Sequence, residues 1–175
     1  EFRNVFQLDG NNKAARLDYA NLMVERGETA EAIGQFLRLA EQDWGNVAVH
    51  KRIATLALGA QDFTTAKTHA DRAYDLDPKD PEIRGLKAST DYQDGAHAPA
   101  VAMARGVVAE TPANLTARMV LIADRMDAGD TGAALAETDA ALALAPDDEG
   151  LHLVRLAVLE RTGDRDATGA ELAKM

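Results

Sequence analysis

The sequence repeats with a period of 34 residues over most of its length. Alanine recurs at this spacing, glycine recurs with one glutamine in the series, and proline recurs with one tryptophan in its place. The three series are Ala32, Ala66, Ala100 and Ala134; Gly27, Gln61, Gly95, Gly129 and Gly163; and Trp44, Pro78, Pro112 and Pro146. A fixed period in this range predicts stacked supersecondary units, each burying its apolar face against the next. It favours a binding scaffold over an enzyme.

Within each repeat the pattern predicts two helices joined by a short turn. Ala15, Tyr19 and Met23 lie four residues apart, which is the apolar spacing of a helix rather than a strand. Glycine ends the first helix because it adopts left-handed backbone without a Cβ clash, and the acidic residue after it caps the second helix. The recurring alanine lets the helices approach closely, and proline stops the second helix. The expected fold class is therefore all-α.

The helical stripes set a repeat frame in which Lys13, Val47, Pro81, Leu115 and Glu149 each occupy repeat position 1. The predicted full repeats are 13–46, 47–80, 81–114 and 115–148, followed by a partial fifth repeat at 149–175. Residues 1–12 match the end of a second helix from an earlier repeat. Since both ends fall within a repeat, we expect a single array, 1–175, that is part of a longer one.

The combined pattern resembles the tetratricopeptide repeat (TPR), which has small residues at positions 8 and 20, glycine at 15 and proline at 32. The matching residues are Ala20, Gly27, Glu28, Ala32 and Phe36 in the first repeat; Ala54, Asp62, Ala66 and Pro78 in the second; and Gly129, Asp130, Ala134 and Pro146 in the fourth. At position 4, where the family usually has a large residue, this chain has Arg16, His50, Arg84, Arg118 and His152. The alanine-rich composition and these arginines are similar to bacterial repeat proteins, including lipoprotein-anchored envelope proteins. That similarity favours the bacterial cytoplasm or the periplasmic side of the envelope.

The resemblance implies a right-handed α-solenoid of helix pairs, whose first helices line a concave groove. Family members bind a peptide, or a helix of another protein, in that groove. Transferred position by position, the candidate groove residues are Asn21; Lys51, Arg52 and Thr55; Leu86, Ser89 and Tyr92; Met119, Val120 and Met126; and Leu153 and Val154. This set predicts a groove with one cationic end and a longer apolar run.

Each of these candidates also has a purely structural interpretation. Apolar residues at helical spacing often form the core instead of a ligand site, and Lys51 and Arg52 are equally consistent with a solvated pair. Trp44 replaces the usual proline between two repeats. It either packs over the gap left by the missing ring or serves as an exposed surface anchor for a partner.

Composition and motifs exclude several classes of function. The net charge of −10, from 19 basic and 29 acidic residues, disfavours nucleic acid and anionic lipid as partners. No stretch approaches 18 consecutive apolar residues, so we expect no membrane insertion. The chain has no cysteine, and the spacing of its four histidines offers no shared metal site. Without catalytic or phosphate-binding motifs, we predict no enzyme activity, no metal and no cofactor.

The predicted function is a non-catalytic scaffold that binds a peptide segment or helix of another protein. One alternative is a regulatory or targeting segment of a larger enzyme or envelope assembly. Another is a homo-oligomer that forms end to end through apolar residues at the repeat ends, such as Phe2, Phe6 and Leu172.

Overall fold

The computed structural model describes residues 12–174, in which all regular secondary structure is α-helical. The ten helices in this part of the chain are α1 (Lys13–Glu25), α2 (Thr29–Gln42), α3 (Val47–Gly59), α4 (Phe63–Leu76), α5 (Pro81–Gln93), α6 (His97–Glu110), α7 (Leu115–Asp127), α8 (Thr131–Leu142), α9 (Glu149–Thr162) and α10 (Arg165–Leu172). The odd-numbered helices begin 34 residues apart, so the helices keep the period of the sequence. The earlier repeat predicted at 1–12 lies outside the described residues, apart from Asn12, whose side chain caps α1.

The turn inside each repeat depends on a left-handed residue, as the glycine series predicts. Gly27, Gly95, Gly129 and Gly163 have φ values between 72° and 91°, and Gln61 adopts φ 60° at the same position of the second repeat. Left-handed backbone costs free energy for any residue with a Cβ atom, so the glutamine is the strained member of the series.

Acidic residues after these turns cap the second helices, which confirms their predicted role in three repeats. The carboxylates of Asp62, Asp130 and Asp164 each accept a hydrogen bond from the backbone N–H three residues later. This contact satisfies a donor that the helix itself leaves unpaired. Glu28 makes no side-chain cap at the start of α2.

The alanine series is buried in the helix packing. Ala32, Ala66, Ala100 and Ala134 are at most 1% exposed. A larger side chain at these points would push the paired helices apart. Their burial is what the predicted close approach of the two helices requires.

The chain divides into two compact units, which we call unit 1 (up to Thr90) and unit 2 (from Asp91). In unit 1, α1 packs on α2, α2 on α3 and α3 on α4, with Phe36 and Ile53 among the fully buried side chains. In unit 2, α6 packs on α7, α7 on α8, α8 on α9 and α9 on α10. The core cluster of unit 2 is formed by Ile122, Ala134 and Val158.

Candidate protein-binding face

The predicted binding residues fall into three groups by exposure. Four side chains are exposed, five are half-buried and three are buried. The exposed ones are Asn21, Thr55, Met119 and Leu153; the half-buried ones are Lys51, Arg52, Ser89, Met126 and Val154; and the buried ones are Leu86, Tyr92 and Val120. The repeat frame therefore identifies the helices that carry the candidate residues, but it does not decide which of their side chains reach the surface.

Lys51 is held in unit 1 by two carboxylates, one at the end of its own repeat and one at the start of the next. Its Nζ donates to Asp80 at 3.1 Å and to Glu82 at 2.7 Å. The hydrogen bond to Glu82 raises the pKa of Lys51, against the effect of burial, and the bond to Asp80 adds to the rise. The charge of Lys51, one of the two residues of the predicted cationic end, is thus balanced by neighbouring carboxylates.

Leu86 and Val120 are core residues. They are 4% and 3% exposed, and Leu86 packs in a cluster with Ala54 and Ala70. Both occupy repeat position 6, and in these two repeats the side chain is buried in the helix packing. They therefore serve packing, and we leave them out of the candidate face.

Tyr92 is also buried, at 7% exposed, although it was predicted to line the groove. Its hydroxyl donates to the Asp127 carboxylate at 2.7 Å, and its ring lies 4.3 Å from that of His97. Burial and the bond to Asp127 raise the pKa of Tyr92, so the phenol stays protonated and keeps donating. Within unit 2, Tyr92 is thus engaged by Asp127 and His97 and is not free to anchor a ligand.

An exposed apolar surface lies on α7 and α9 of unit 2. Met119 is 36% exposed and Leu153, at the same position of the next repeat, is 55% exposed. Met126 and Val154 are partly buried against the core cluster Ile122, Ala134 and Val158. We call the surface formed by Met119, Ala123, Met126, Leu153, Val154 and Ala157 the α7–α9 face.

The ends of the α7–α9 face carry charged groups. On α9, Glu149 and Glu160 are exposed and lie on the same side of the helix as Leu153, four residues before it and seven after it. Arg161 donates from Nη1 to the Met126 carbonyl at 3.1 Å, which joins the C-terminal ends of α9 and α7. The face is thus apolar in the middle, with a carboxylate towards each end of α9.

Unit 1 has an opening of its own beside α1. A cavity of about 260 Å³ is lined by Lys13, Ala14, Leu17, Leu39, Asp43, Asn46 and Val49. Leu17 is 41% exposed and occupies the same repeat position as Met119 and Leu153. Lys13 donates across the cavity edge to the Gln42 carbonyl at 3.2 Å.

Trp44 is packed on one side and exposed on the other, and its role as a partner anchor stays a prediction. Its indole is 49% exposed, yet it lies edge-on to the rings of His50 at 4.7 Å and His69 at 5.8 Å. The Arg72 guanidinium lies 5.9 Å from the indole centroid, and Arg72 Nε donates to the Trp44 carbonyl at 3.0 Å. Trp44 is therefore a packed lid over a histidine pair, with one side left exposed.

The polar residues at repeat position 4 are explained by a contact that the sequence analysis missed. In four repeats this side chain meets the side chain 19 residues later, on the second helix of the same repeat. The pairs are Arg16–Gln35 at 2.7 Å, His50–His69 at 2.7 Å, Arg118–Glu137 at 3.1 Å and His152–Glu171 at 2.5 Å. The signal was present in the sequence, since the residues at positions 4 and 23 complement each other in charge or hydrogen bonding.

The same position-4 side chains also reach the turn that precedes their own repeat. His50, Arg118 and His152 contact the carbonyls of Trp44, Pro112 and Pro146 at 3.2, 2.7 and 2.8 Å. Because a carbonyl only accepts, His50 carries a proton on Nε2, and its Nδ1 then accepts from the Nδ1–H of His69. Each such residue links a repeat to the turn before it, which is a structural role.

Residues 12–174 contain no group of three or more histidine, aspartate or glutamate side chains arranged to hold a metal ion. None of the helices within that range combines the length and the apolar character needed to cross a bilayer.

Comparison with known proteins gives a clear result at the level of structure only. No family model matches the sequence, and no curated protein matches it. The structure is similar to a TPR protein from Parabacteroides merdae, with 13% identity and a TM-score of 0.74 over 99% of this chain and 69% of that one. It is also similar to TTC0263, a thermophilic TPR protein of Thermus thermophilus, with 16% identity and a TM-score of 0.65 over 90% of this chain and 87% of that one.

A third similar structure is YrrB, described as a TPR protein with an unusual peptide-binding site. It shares 13% identity with this chain, with a TM-score of 0.59 over 99% of this chain and 89% of that one. The helix pairs, the left-handed turns and these structural likenesses agree. The chain has the helical-repeat fold of TPR proteins, which is the fold that its sequence pattern predicts.

Proposed function

We propose that this chain is a non-catalytic protein-interaction scaffold whose α7–α9 face binds a peptide segment or a helix of another protein. The observation that carries the proposal is the exposure of Met119 and Leu153, at 36% and 55%, at equivalent positions of consecutive repeats. A single exposed leucine is ordinary, whereas adjoining apolar side chains on neighbouring helices form a patch of the kind used for binding.

The core of unit 2 supports this assignment because it is complete without these two residues. Ile122 and Val158 are 2% and 0% exposed, and Met126 and Val154 cover them from outside. Met119 and Leu153 therefore remain available for contact with a partner. Methionine suits such a role, since its flexible thioether adapts to different apolar partners.

Unit 1 is a weaker candidate for the same role. At the position of Met119 it exposes Leu17 in the first repeat, but the second repeat has Lys51, which two carboxylates hold in place, and the third has Gly85. Two consecutive repeats of unit 1 therefore do not both expose an apolar side chain at this position. Peptide binding by the similar protein YrrB is in keeping with a scaffold function for this fold, while the location of the face is argued from this chain alone.

Affinity capture with matched variants tests the proposal. The chain carrying both Met119→Asp and Leu153→Asp is compared with wild type and with Leu144→Asp. Leu144 is 49% exposed but lies in the turn after α8, outside the α7–α9 face. We expect a partner to be retained by wild type and by Leu144→Asp, and to be lost from the double variant, with all three chains equally helical.

Two results would contradict this assignment. Retention of the partner by the double variant moves the binding site away from the α7–α9 face. A mass in solution that rises with protein concentration, and that Met119→Asp with Leu153→Asp reduces to the monomer, identifies the face as a contact between copies of this chain instead.

A further inference from the structure

We infer that the segment bound by the α7–α9 face is a cationic amphipathic one, with apolar side chains at its centre and lysine or arginine towards its ends. This inference rests on the proposed function and adds the chemical class of the partner. It depends on where charge lies in unit 2, which is independent of the exposure of Met119 and Leu153.

Acidic charge is concentrated in the unit that carries the face. Residues 91–175 contain 15 acidic and seven basic residues, a net charge of −8, whereas residues 1–90 contain 14 and 12, a net charge of −2. The electrostatic field of unit 2, which carries the larger negative charge, therefore attracts a basic partner and repels an acidic one.

The residues on one exposed side of α9 also favour a basic partner. Glu149, Leu153, Ala157 and Glu160 follow one another at spacings of four, four and three residues, and all four are exposed. They share one side of the helix, because such spacings bring side chains above one another. A partner that covers Leu153 and Ala157 thus meets a carboxylate towards each end of the contact.

On α7, Asp127 adds a third carboxylate at the end of the face. It accepts the Tyr92 hydroxyl at 2.7 Å, and because that phenol remains protonated, the contact does not cancel the charge of Asp127. Asp127 is exposed, so it is open to a cation of the partner.

The basic residues of α7 and α9 offset this charge only in part. Arg118 pairs with Glu137 at 3.1 Å, and Arg155 pairs with Asp139 at 2.7 Å and with Glu171 at 2.6 Å. Arg125 and Arg161 lie in the last turns of α7 and α9. At the opposite end of the face, Glu149 begins α9, and Arg118 in the first turn of α7 is already paired with Glu137.

The partner class is tested with three peptides of about 18 residues that share one helical leucine stripe and carry lysine, glutamine or glutamate elsewhere. Binding of fluorescently labelled peptide to the full chain is followed by anisotropy at low ionic strength and at about 0.5 M salt. We expect the lysine peptide to bind most tightly, to weaken as salt rises, and to lose its binding to the chain carrying Met119→Asp and Leu153→Asp.

A matched pair of charge variants separates the face from the field of the whole protein. Glu149→Lys with Glu160→Lys alters the face, and Glu25→Lys with Glu41→Lys makes the same change of net charge at exposed sites of unit 1. We expect about tenfold weaker binding of the lysine peptide to the first pair and less than about twofold for the second.

The outcomes distinguish the partner class from the binding face itself. Equal binding of all three peptides, lost with Met119→Asp and Leu153→Asp, overturns the cationic class and leaves the face intact. Tighter binding of the glutamate peptide also overturns it. Equal weakening by both charge pairs shows non-specific attraction, and no binding of any peptide overturns the class and the face together.

Discussion

Units 1 and 2 each contain a histidine at repeat position 4, and the two histidines differ in charge preference. His50 of unit 1 faces His69 at 2.7 Å, and burial lowers the pKa of both, that of His69 to about 4. In unit 2 the hydrogen bond to Glu171 raises the pKa of His152. The backbone geometry is the same, so the side chain 19 residues later decides whether this interior contact is neutral or ionic.

The surfaces of the two units differ in a related way. On the first helices, unit 1 binds its Lys51 to Asp80 and Glu82, while unit 2 leaves Met119 and Leu153 exposed. At this repeat position unit 1 exposes Leu17 in one repeat and has the paired Lys51 in the next, whereas unit 2 exposes an apolar side chain in two consecutive repeats. That difference is the physical basis for placing the binding face on unit 2.

The largest expected effect comes from removing Glu171, the ionic centre of unit 2. Its side chain is 0% exposed and accepts from His152, from Arg155 at 2.6 Å and from Lys174 at 3.2 Å. We expect Glu171→Ala to lower the free energy of unfolding by about 1–2 kcal/mol, since it leaves the partly buried His152 and Arg155 without their acceptor. Denaturant unfolding measures this, with the exposed Glu160→Ala as a control that changes it by less than about 0.5 kcal/mol. Equal effects of the two variants would show that the contacts of Glu171 contribute no more to the free energy of unfolding than an exposed glutamate does.

Acid is expected to destabilise the histidine pair of unit 1. The folded pKa of His69, about 4, lies below its unfolded value of 6.5, so the unfolded chain takes up the proton first. The contribution is present above pH 6.5 and is lost as the pH falls from 6.5 towards 4. We expect a loss of about 1 kcal/mol, after allowance for solvent screening. Besides the two histidines, the charged groups that act on this pair are Arg72 and Asp43, whose effects on the pKa of His50 are opposite in sign.

The single tryptophan makes this acid transition measurable. Trp44 lies 4.7 Å from the His50 ring, so its fluorescence reports on unit 1 alone. We expect a fluorescence change below pH 6.5 that disappears in His50→Gln with His69→Gln and persists in His152→Gln. A transition that survives loss of both histidines would assign the signal to another group.

The ionic pair of unit 2 is expected to respond to pH in the opposite direction. Because the pKa of His152 is raised, its contribution is present below 6.5 and is lost as the pH rises through the folded value. The hydrogen bonds from His152 and Lys174 lower the pKa of Glu171 despite its burial, so the carboxylate contribution is lost only as the pH falls through that lowered value. Hydrogen exchange of α9 and α10 should therefore be slower at pH 6 than at pH 8, after correction for the intrinsic rate. Faster exchange at pH 6 would contradict the pairing.

A smaller effect is expected at the left-handed turns. Gln61→Gly should raise the free energy of unfolding by about 0.5–1 kcal/mol, because glycine adopts positive φ without a Cβ penalty. The reverse change in unit 2, Gly129→Gln, should lower it by a similar amount, since a Cβ there has open space and meets only the backbone cost. Thermal or denaturant unfolding measures both variants. If both substitutions changed the free energy of unfolding in the same direction, backbone strain at Gln61 would not explain the result.

The smallest effect is expected at Lys51. Replacing it with methionine, the residue of unit 2 at this position, should change the free energy of unfolding by less than about 0.5 kcal/mol, because partly exposed ion pairs contribute little. Chemical denaturation provides the measurement. A loss of more than about 1.5 kcal/mol would show that the ion pairs of Lys51 stabilise the fold more than ion pairs of partly exposed side chains do.

The sequence predicts most of the fold because its strongest signals are local. Gly27 and Gly129 need positive φ, Asp62 and Asp130 cap the helices that follow them, and Ala66 fits a contact that excludes larger side chains. Each of these requirements acts on one residue at a fixed place in the repeat, so a single sequence reveals it.

The face is harder to predict because exposure depends on how each helix is rotated in its unit. Met119 and Val120 are neighbours in sequence, but one is 36% exposed and the other 3%. The interior pairs were missed for a different reason, since their partners lie 19 residues apart on separate helices. Arg118 with Glu137 and His152 with Glu171 become recognisable once repeat positions 4 and 23 are read together.

Methionine methyl resonances provide the most direct test that unit 2, and not unit 1, carries the binding face. The chain has five methionines, of which Met119 and Met126 belong to the α7–α9 face and Met23 is buried in α1 of unit 1. With methyl-labelled protein, we predict that the lysine peptide shifts the resonances of Met119 and Met126 and leaves that of Met23 in place. Shifts at Met23 alone, or no shift at Met119 with any of the three peptides, would contradict the assignment of the face.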